Sequence, residues 1–201
     1  MHSPLSIQRL RGAGIVPFLD AVAQLRIAVF RDWPYLYDGD LGYEREYLAA
    51  YAASPDSVFV LARDGEQVVG ASTGLPLVDD TEAFAAAFAG SGIDPAEVFY
   101  FGESVLLPQY RGRGVGHAFF DEREAHARAL GRFRLTAFCS VERAPDDPRR
   151  PPEYRGNDVF WRKRGYQPQA ALRMHLPWNE VDRGETPHTL GFWTRALEPA
   201  A

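Results

Sequence analysis

The chain has 201 residues, of which 46% are hydrophobic and 24% charged, and its formal net charge is −5. A chain of that length and balance folds around a sizeable core and is not a disordered polymer. A mildly acidic protein lacks the clustered positive field that duplex nucleic acid demands, so nucleic acid is not expected as a partner. The single cysteine, Cys139, leaves no intrachain disulfide and no cysteine metal cluster. The five histidines (His2, His117, His126, His175 and His188) show no ligand spacing, so no metal is expected. Residues 1–11 lack the apolar core of a secretory signal, and no apolar run reads as a bilayer span. The expectation is a cytoplasmic protein with no membrane partner.

In chain order, residues 5–10 alternate apolar and polar side chains and predict a half-buried strand. Residues 15–30 have helical spacing, with Pro17 suited to a first turn. Residues 31–40 carry Trp33, Tyr35 and Tyr37 among proline and glycine, which forbid a regular element, and a second helix follows over 43–53. Residues 58–62 and 67–75 read as strands joined by a hairpin turn at Asp64-Gly65. A short helix is expected over 81–89, capped by Thr81. One long strand is expected over 98–107, ended by Pro108. Residues 114–130 predict a helix stopped by Gly131, with His117 and His126 on its surface. A strand over 133–140, a loop over 142–156, a short helix over 158–164 and strands over 169–176 and 189–196, parted by a long turn, complete the chain. No repeat and no linker divides it. The class is therefore α/β (α+β), a single domain over residues 1–201 built on one sheet of about seven strands.

The stretch Val105-Leu-Leu-Pro-Gln-Tyr-Arg-Gly-Arg-Gly-Val-Gly116 carries the chemistry. A strand ends, a glycine turn follows and a helix begins. Unpaired N–H groups at a helix start, with the helix dipole behind them, form an anion site, and glycines let a phosphate come close. A P-loop needs a Gly-Lys-Ser/Thr ending, which is absent. A dinucleotide fingerprint needs a parallel βαβ unit, and none flanks the stretch.

The pattern Arg111-x-x-Gly114-x-Gly116, preceded by Leu-Pro-x-Tyr, resembles motif A of the GNAT (GCN5-related N-acetyltransferase) superfamily. Phe160-Trp-Arg-Lys-Arg-Gly165-Tyr166 is similar to a second segment of that family, and the order of elements agrees over residues 5–198. The resemblance implies a mixed, mostly antiparallel sheet flanked by helices, with acetyl-CoA as co-substrate. It implies pantetheine pairing along Val105, Leu106 and Leu107. It also implies a pyrophosphate held on the N–H groups of Arg111, Gly112, Arg113, Gly114, Val115 and Gly116. The implied reaction is direct attack of a primary amine on the thioester, the amine being a small molecule or a peptide.

An alkylammonium has an unperturbed pKa of about 10.4, so its proton must be removed first. Glu103 matches an acidic residue frequent in the family and is the candidate base; the alternative is a carboxylate that is structural or only orients the substrate. The family's leaving-group tyrosine is replaced by Trp161, which cannot protonate a thiolate; Tyr154, Tyr166 or water are the substitutes, or the thiolate leaves unassisted. Asn157 resembles a pantetheine contact, against a plain helix cap. Cys139 reads as inert packing. Trp33, Tyr35 and Tyr37, with Asp38, Asp40, Glu44 and Glu46, suit the wall of a site for a cationic amine or an ordinary anchored loop with a solvated acidic face. Arg149, Arg150, Arg155, Arg162, Lys163 and Arg164 suit the 3′-phosphate of CoA or solvated charge. A second reading is a non-catalytic acyl-CoA-binding or regulatory domain; a third takes a longer acyl chain along the Ala/Phe-rich residues 83–89. A homodimer is a further expectation where such a sheet leaves an open edge.

Overall fold

The structure is a computed structural model that describes residues 5–198. The strands are β1 (Ser6–Arg11), β2 (Val58–Asp64), β3 (Gln67–Pro76), β4 (Val98–Tyr100), β5 (Ser104–Leu106), β6 (Leu135–Val141), β7 (Gln167–Glu180) and β8 (Gly184–Ala196). The helices are α1 (Leu19–Phe30), α2 (Leu41–Ala53), α3 (Glu82–Ala86), α4 (Val115–Leu130) and α5 (Asp158–Lys163). The eight strands form one sheet in the order β1-β2-β3-β4-β6-β8-β7, with β5 also paired to β3. Every pairing is antiparallel except β4 with β6.

Two apolar clusters lie on opposite faces of this sheet, because successive strand side chains point to opposite sides. On β2, Phe59 and Leu61 join Val22, Leu25 and Leu48 of α1 and α2. Val58, Val60 and Ala62 join Val115, Phe119 and Phe120 of α4. Asp40 starts α2 by accepting from the Tyr43 N–H, a cap not anticipated from the sequence. Thr81 makes no side-chain cap bond to α3. The last two strands are longer than expected and meet at a tight turn after Glu180, with Arg183 N–H bonded back to the Glu180 carbonyl.

The expected long strand over 98–107 is in fact two. Between the pairs Leu75↔Tyr100 and Ser72↔Ser104, β3 has two residues (73 and 74) and the facing chain has three (101 to 103). That extra residue is a β-bulge, which bends the chain and breaks its pairing. Gly102 permits it: a Cβ there would stand 2.6 Å from both Thr73 Oγ1 and Tyr51 Oη.

Two further expectations are corrected. The helical run Gly12–Phe30 is long and apolar enough, by length and composition, to cross a bilayer. In the fold its Ile15, Val22, Ala23 and Leu25 are core residues and its Arg26 is buried. His126 is not a surface residue: it is 3% exposed, with Nε2 2.8 Å from the Asp56 carbonyl oxygen and its ring against Phe99. Burial holds its pKa below the ordinary 6.5. The folded state therefore binds fewer protons there than the unfolded chain. The contribution of His126 to stability is present above about pH 6.5 and is lost as pH falls toward the folded value. His126→Gln is expected to lose less stability than the wild type between pH 7 and 5, read from urea midpoints; parallel losses in the two proteins would refute the assignment.

Candidate active site

The bulge opens the sheet. β4 pairs in parallel with β6 as far as Tyr100↔Ala137, and Phe101 N–H still reaches the Ala137 carbonyl at 2.8 Å. Beyond that point β6 pairs only with β8, and β5 pairs only with β3. A wedge therefore lies between β5 and the second half of β6. In an antiparallel pair, bonded and non-bonded residues alternate. Leu107 N–H bonds the Val69 carbonyl at 3.0 Å and Thr73 N–H bonds the Glu103 carbonyl at 3.1 Å. Val105, opposite Ala71, belongs to the same bonded set. Ser104 and Leu106 thus present their N–H and C=O groups to the wedge. This corrects the expectation for Val105 and Leu107, whose main chains face β3. Arg111 Nε donates to the Leu106 carbonyl at 3.3 Å, along the wedge edge.

At one end of β5 the chain turns through Pro108–Tyr110 into α4. Gly112 and Gly114 have φ of +75° and +82°, a region open to glycine at little cost, and a Cβ on either would meet nothing within 4 Å. The Arg111 N–H is used by the Pro108 carbonyl, so it does not belong to the anion cradle. The N–H groups of Arg113, Gly114, Val115 and Gly116 stand at the start of α4 before its first internal bond, His117 N–H to the Gly114 carbonyl. The exposed, open turn fits a pyrophosphate. Arg113 stacks its guanidinium over Tyr110, whose hydroxyl donates to Asp64.

On the α1/α2 face, beside the bulge, Glu103 is 6% exposed. Arg26 Nη1 lies 2.7 Å from its Oε2, and the Tyr47 hydroxyl donates to the same oxygen at 3.3 Å. Its Oε1 is buried and has no hydrogen-bond partner among the described residues. Arg26 also pairs with Glu44, which is fully buried, and stacks on Tyr47 at 4.3 Å. Burial opposes the charge on Arg26, yet Glu103, Tyr47 and Glu44 hold its pKa well above the ordinary value. Two carboxylates facing one guanidinium leave the cluster a formal charge of −1. Asp80, accepting from Tyr51 at 2.9 Å, stands nearby, and burial pushes its carboxyl up.

The connection between α1 and α2 is strapped across this end of the molecule. Tyr37 bridges to Glu180, the Asp38 N–H bonds the Asn179 carbonyl, and Arg143 donates to the carbonyls of Pro34 and Tyr35. Arg143 and Arg149 both pair with the buried Glu180. The strap sets Tyr35 where Cys139, Tyr154, Arg26 and Glu103 all act on its hydroxyl, which burial pushes up. A model of the acetyltransferase (GNAT) family matches residues 22–148, from α1 through the glycine turn and beyond β6.

The chain belongs to the GNAT acetyltransferase family. No curated protein sequence matches it. Solved structures share the GNAT fold across the whole chain at low identity. An N-acetyltransferase from Staphylococcus aureus is 11% identical, with TM-score 0.62, covering 98% of this chain and 100% of its own. The yncA protein of Salmonella typhimurium, solved with acetyl-CoA, is 12% identical with TM-score 0.56, over 99% and 97%. A ribosomal-protein-alanine N-acetyltransferase from Brucella melitensis is 13% identical with TM-score 0.60, over 96% and 99%.

Within this GNAT domain the remaining candidates separate. Glu44 reaches the interior cluster. Asp38 pairs with Arg31 at the surface, Asp40 caps α2 and Glu46 is exposed. Tyr166 is fully buried, its hydroxyl bonded to Thr136 and Glu124, so it cannot serve a leaving group. Trp161 packs against Phe138 and Trp193. Tyr154 is half-buried beside Trp33. Asn157 is exposed and makes no side-chain cap bond. The Cys139 thiol touches the Tyr100 hydroxyl at 3.0 Å, and burial pushes it up to about 12, as an inert thiol requires. Of the basic set, Arg164 is committed to Asp121 and Glu124, and Arg149 to Asp147 and Glu180. Arg26 and Tyr47 were missed, because a side chain on a helix shows its partners from other elements only in three dimensions.

Proposed function

We propose that the protein transfers an acetyl group from acetyl-CoA to a primary amine. The observation that carries this reading is the wedge itself. It runs from the glycine start of α4, along the main-chain edge of Ser104 and Leu106 that β3 leaves unused, to the buried carboxylate of Glu103. Pyrophosphate, pantetheine and thioester fit that path in order. The cluster's excess negative charge favours an ammonium, and the unpartnered Oε1 of Glu103 is the acceptor left for its proton. Glu103 takes the proton, the freed amine attacks the thioester carbon, and the oxyanion is met by a β5 N–H group. The tetrahedral intermediate collapses by breaking the C–S bond. The second proton of the attacking nitrogen passes through water to the departing CoA thiolate, whose pKa of about 8.5 means that it needs no strong acid, and Glu103 releases the first proton to solvent.

Calorimetry with acetyl-CoA tests the donor assignment, beside a Gly114→Trp variant whose side chain is strained at φ +82° and fills the cradle. Micromolar binding by the wild type, weakened by about a hundredfold or more in the variant, is expected. Absence of wild-type binding would sink the reading. A panel of small amines and N-terminal peptides then identifies the acceptor. Catalysis distinguishes this reading from a domain that only binds acyl-CoA.

A further inference from the structure

Arg123, on α4, is 1% exposed, and among the described residues its guanidinium faces no carboxylate at bonding distance. Nη1 donates to the carbonyls of Thr73 at 3.2 Å and Glu103 at 3.1 Å, Nη2 to Ser104 Oγ at 2.9 Å, and Nε to the Phe119 carbonyl at 3.1 Å. The rings of Phe101 and Phe120 lie 4.2 and 4.9 Å from it. Burying a cation among neutral acceptors is costly, and burial pulls this guanidinium down to about 10. The bulge needs donors for the carbonyls it disturbs, but a neutral side chain would supply those.

The Glu103 carbonyl belongs to the same peptide unit as the Ser104 N–H. One end of that unit accepts from the buried guanidinium. The other points into the wedge, by the alternation along β5. Hydrogen bonds in series polarise one another, and a charge-assisted one does so most strongly. We propose that Arg123 is a positioning and polarising residue: through the Glu103–Ser104 peptide it strengthens the Ser104 N–H as the donor to the thioester carbonyl and to the oxyanion formed from it. The proposal rests on the acetyl-CoA assignment above. Arg123 itself touches neither substrate. Tyr166, Glu103, Glu124 and Arg164 are the other titratable groups that act on it.

The test needs no acceptor. The carbonyl stretch of [1-13C]acetyl-CoA is read by difference infrared spectroscopy, free and bound. Bound to the wild type, the band moves to lower wavenumber. Bound to Arg123→Gln, which keeps a donor but no charge, it returns most of the way to the free value, and acetyl-CoA affinity falls about tenfold more than that of CoA. Arg123→Lys restores the displacement at neutral pH and loses it as pH rises, because a buried ammonium gives up its proton more readily than a guanidinium. Should the glutamine variant fail to fold, that pH dependence decides alone. A bound wild-type band at the free position would overturn the proposal, as would equal displacement in the wild type and the glutamine variant, or a pH-independent band in the lysine variant. Failure of the wild type to bind acetyl-CoA would instead overturn the acetyltransferase reading, and this proposal with it.

Discussion

Glu103→Gln is expected to lower amine acetylation by about 10²- to 10³-fold while leaving acetyl-CoA affinity within about twofold. The amide matches the carboxylate in shape but cannot hold the ammonium proton. Glutamine still accepts from Arg26 and Tyr47, so the local packing survives, and the β5 edge and glycine cradle lie outside the change. The loss should shrink at high pH, where more of the amine is already unprotonated. A variant with wild-type turnover would return Glu103 to a structural role. A variant that also loses acetyl-CoA binding would show that the substitution disturbs the wedge rather than the proton transfer.

Arg26→Met is expected to cost about 3–5 kcal/mol of stability, because it leaves two buried carboxylates without their shared cation. The side chains of Arg26, Glu44 and Glu103 are 9%, 0% and 3% exposed, so water does not replace the lost partner. For a domain of this size, the loss corresponds to a fall in Tm of roughly 10 °C. Adding Glu44→Gln should recover part of it by removing one stranded charge, a non-additivity that a double-mutant cycle in urea reads directly. Additive losses would mean that the three groups do not form one cluster. Activity should fall as well, since Glu103 loses the cation that orients it.

Most of the element order was legible, because it rests on local signals. The two-faced β2 run, the Asp64-Gly65 turn and the glycine stop after α4 are each decided within a few residues. The glycine turn was legible for the same reason: glycines at positive φ before a helix start act through their own backbone. The break in the strand over 98–107 was not. Gly102 announces it only when Tyr51 and Thr73 are seen pressing on its Cα from other elements. His126 looked like surface because helical spacing does not reveal that the Asp56 carbonyl waits beside it.

By itself the sequence determined a single-sheet α/β protein with a glycine turn leading into a helix, and its family resemblance singled out Glu103 at the far end of the strand before that turn. The sheet and the turn are set by periodicity, by turn chemistry and by glycine; Glu103 came from the resemblance alone. Tertiary structure alone decided which main-chain groups face the wedge, since a bulge of one residue resets the alternation along β5. It alone brought Arg26 and Glu44 to Glu103 from separate helices, and set Arg123 beneath the Glu103–Ser104 peptide. Burial, partners and direction of hydrogen bonding belong to packing between distant segments, and no local pattern in the chain encodes them.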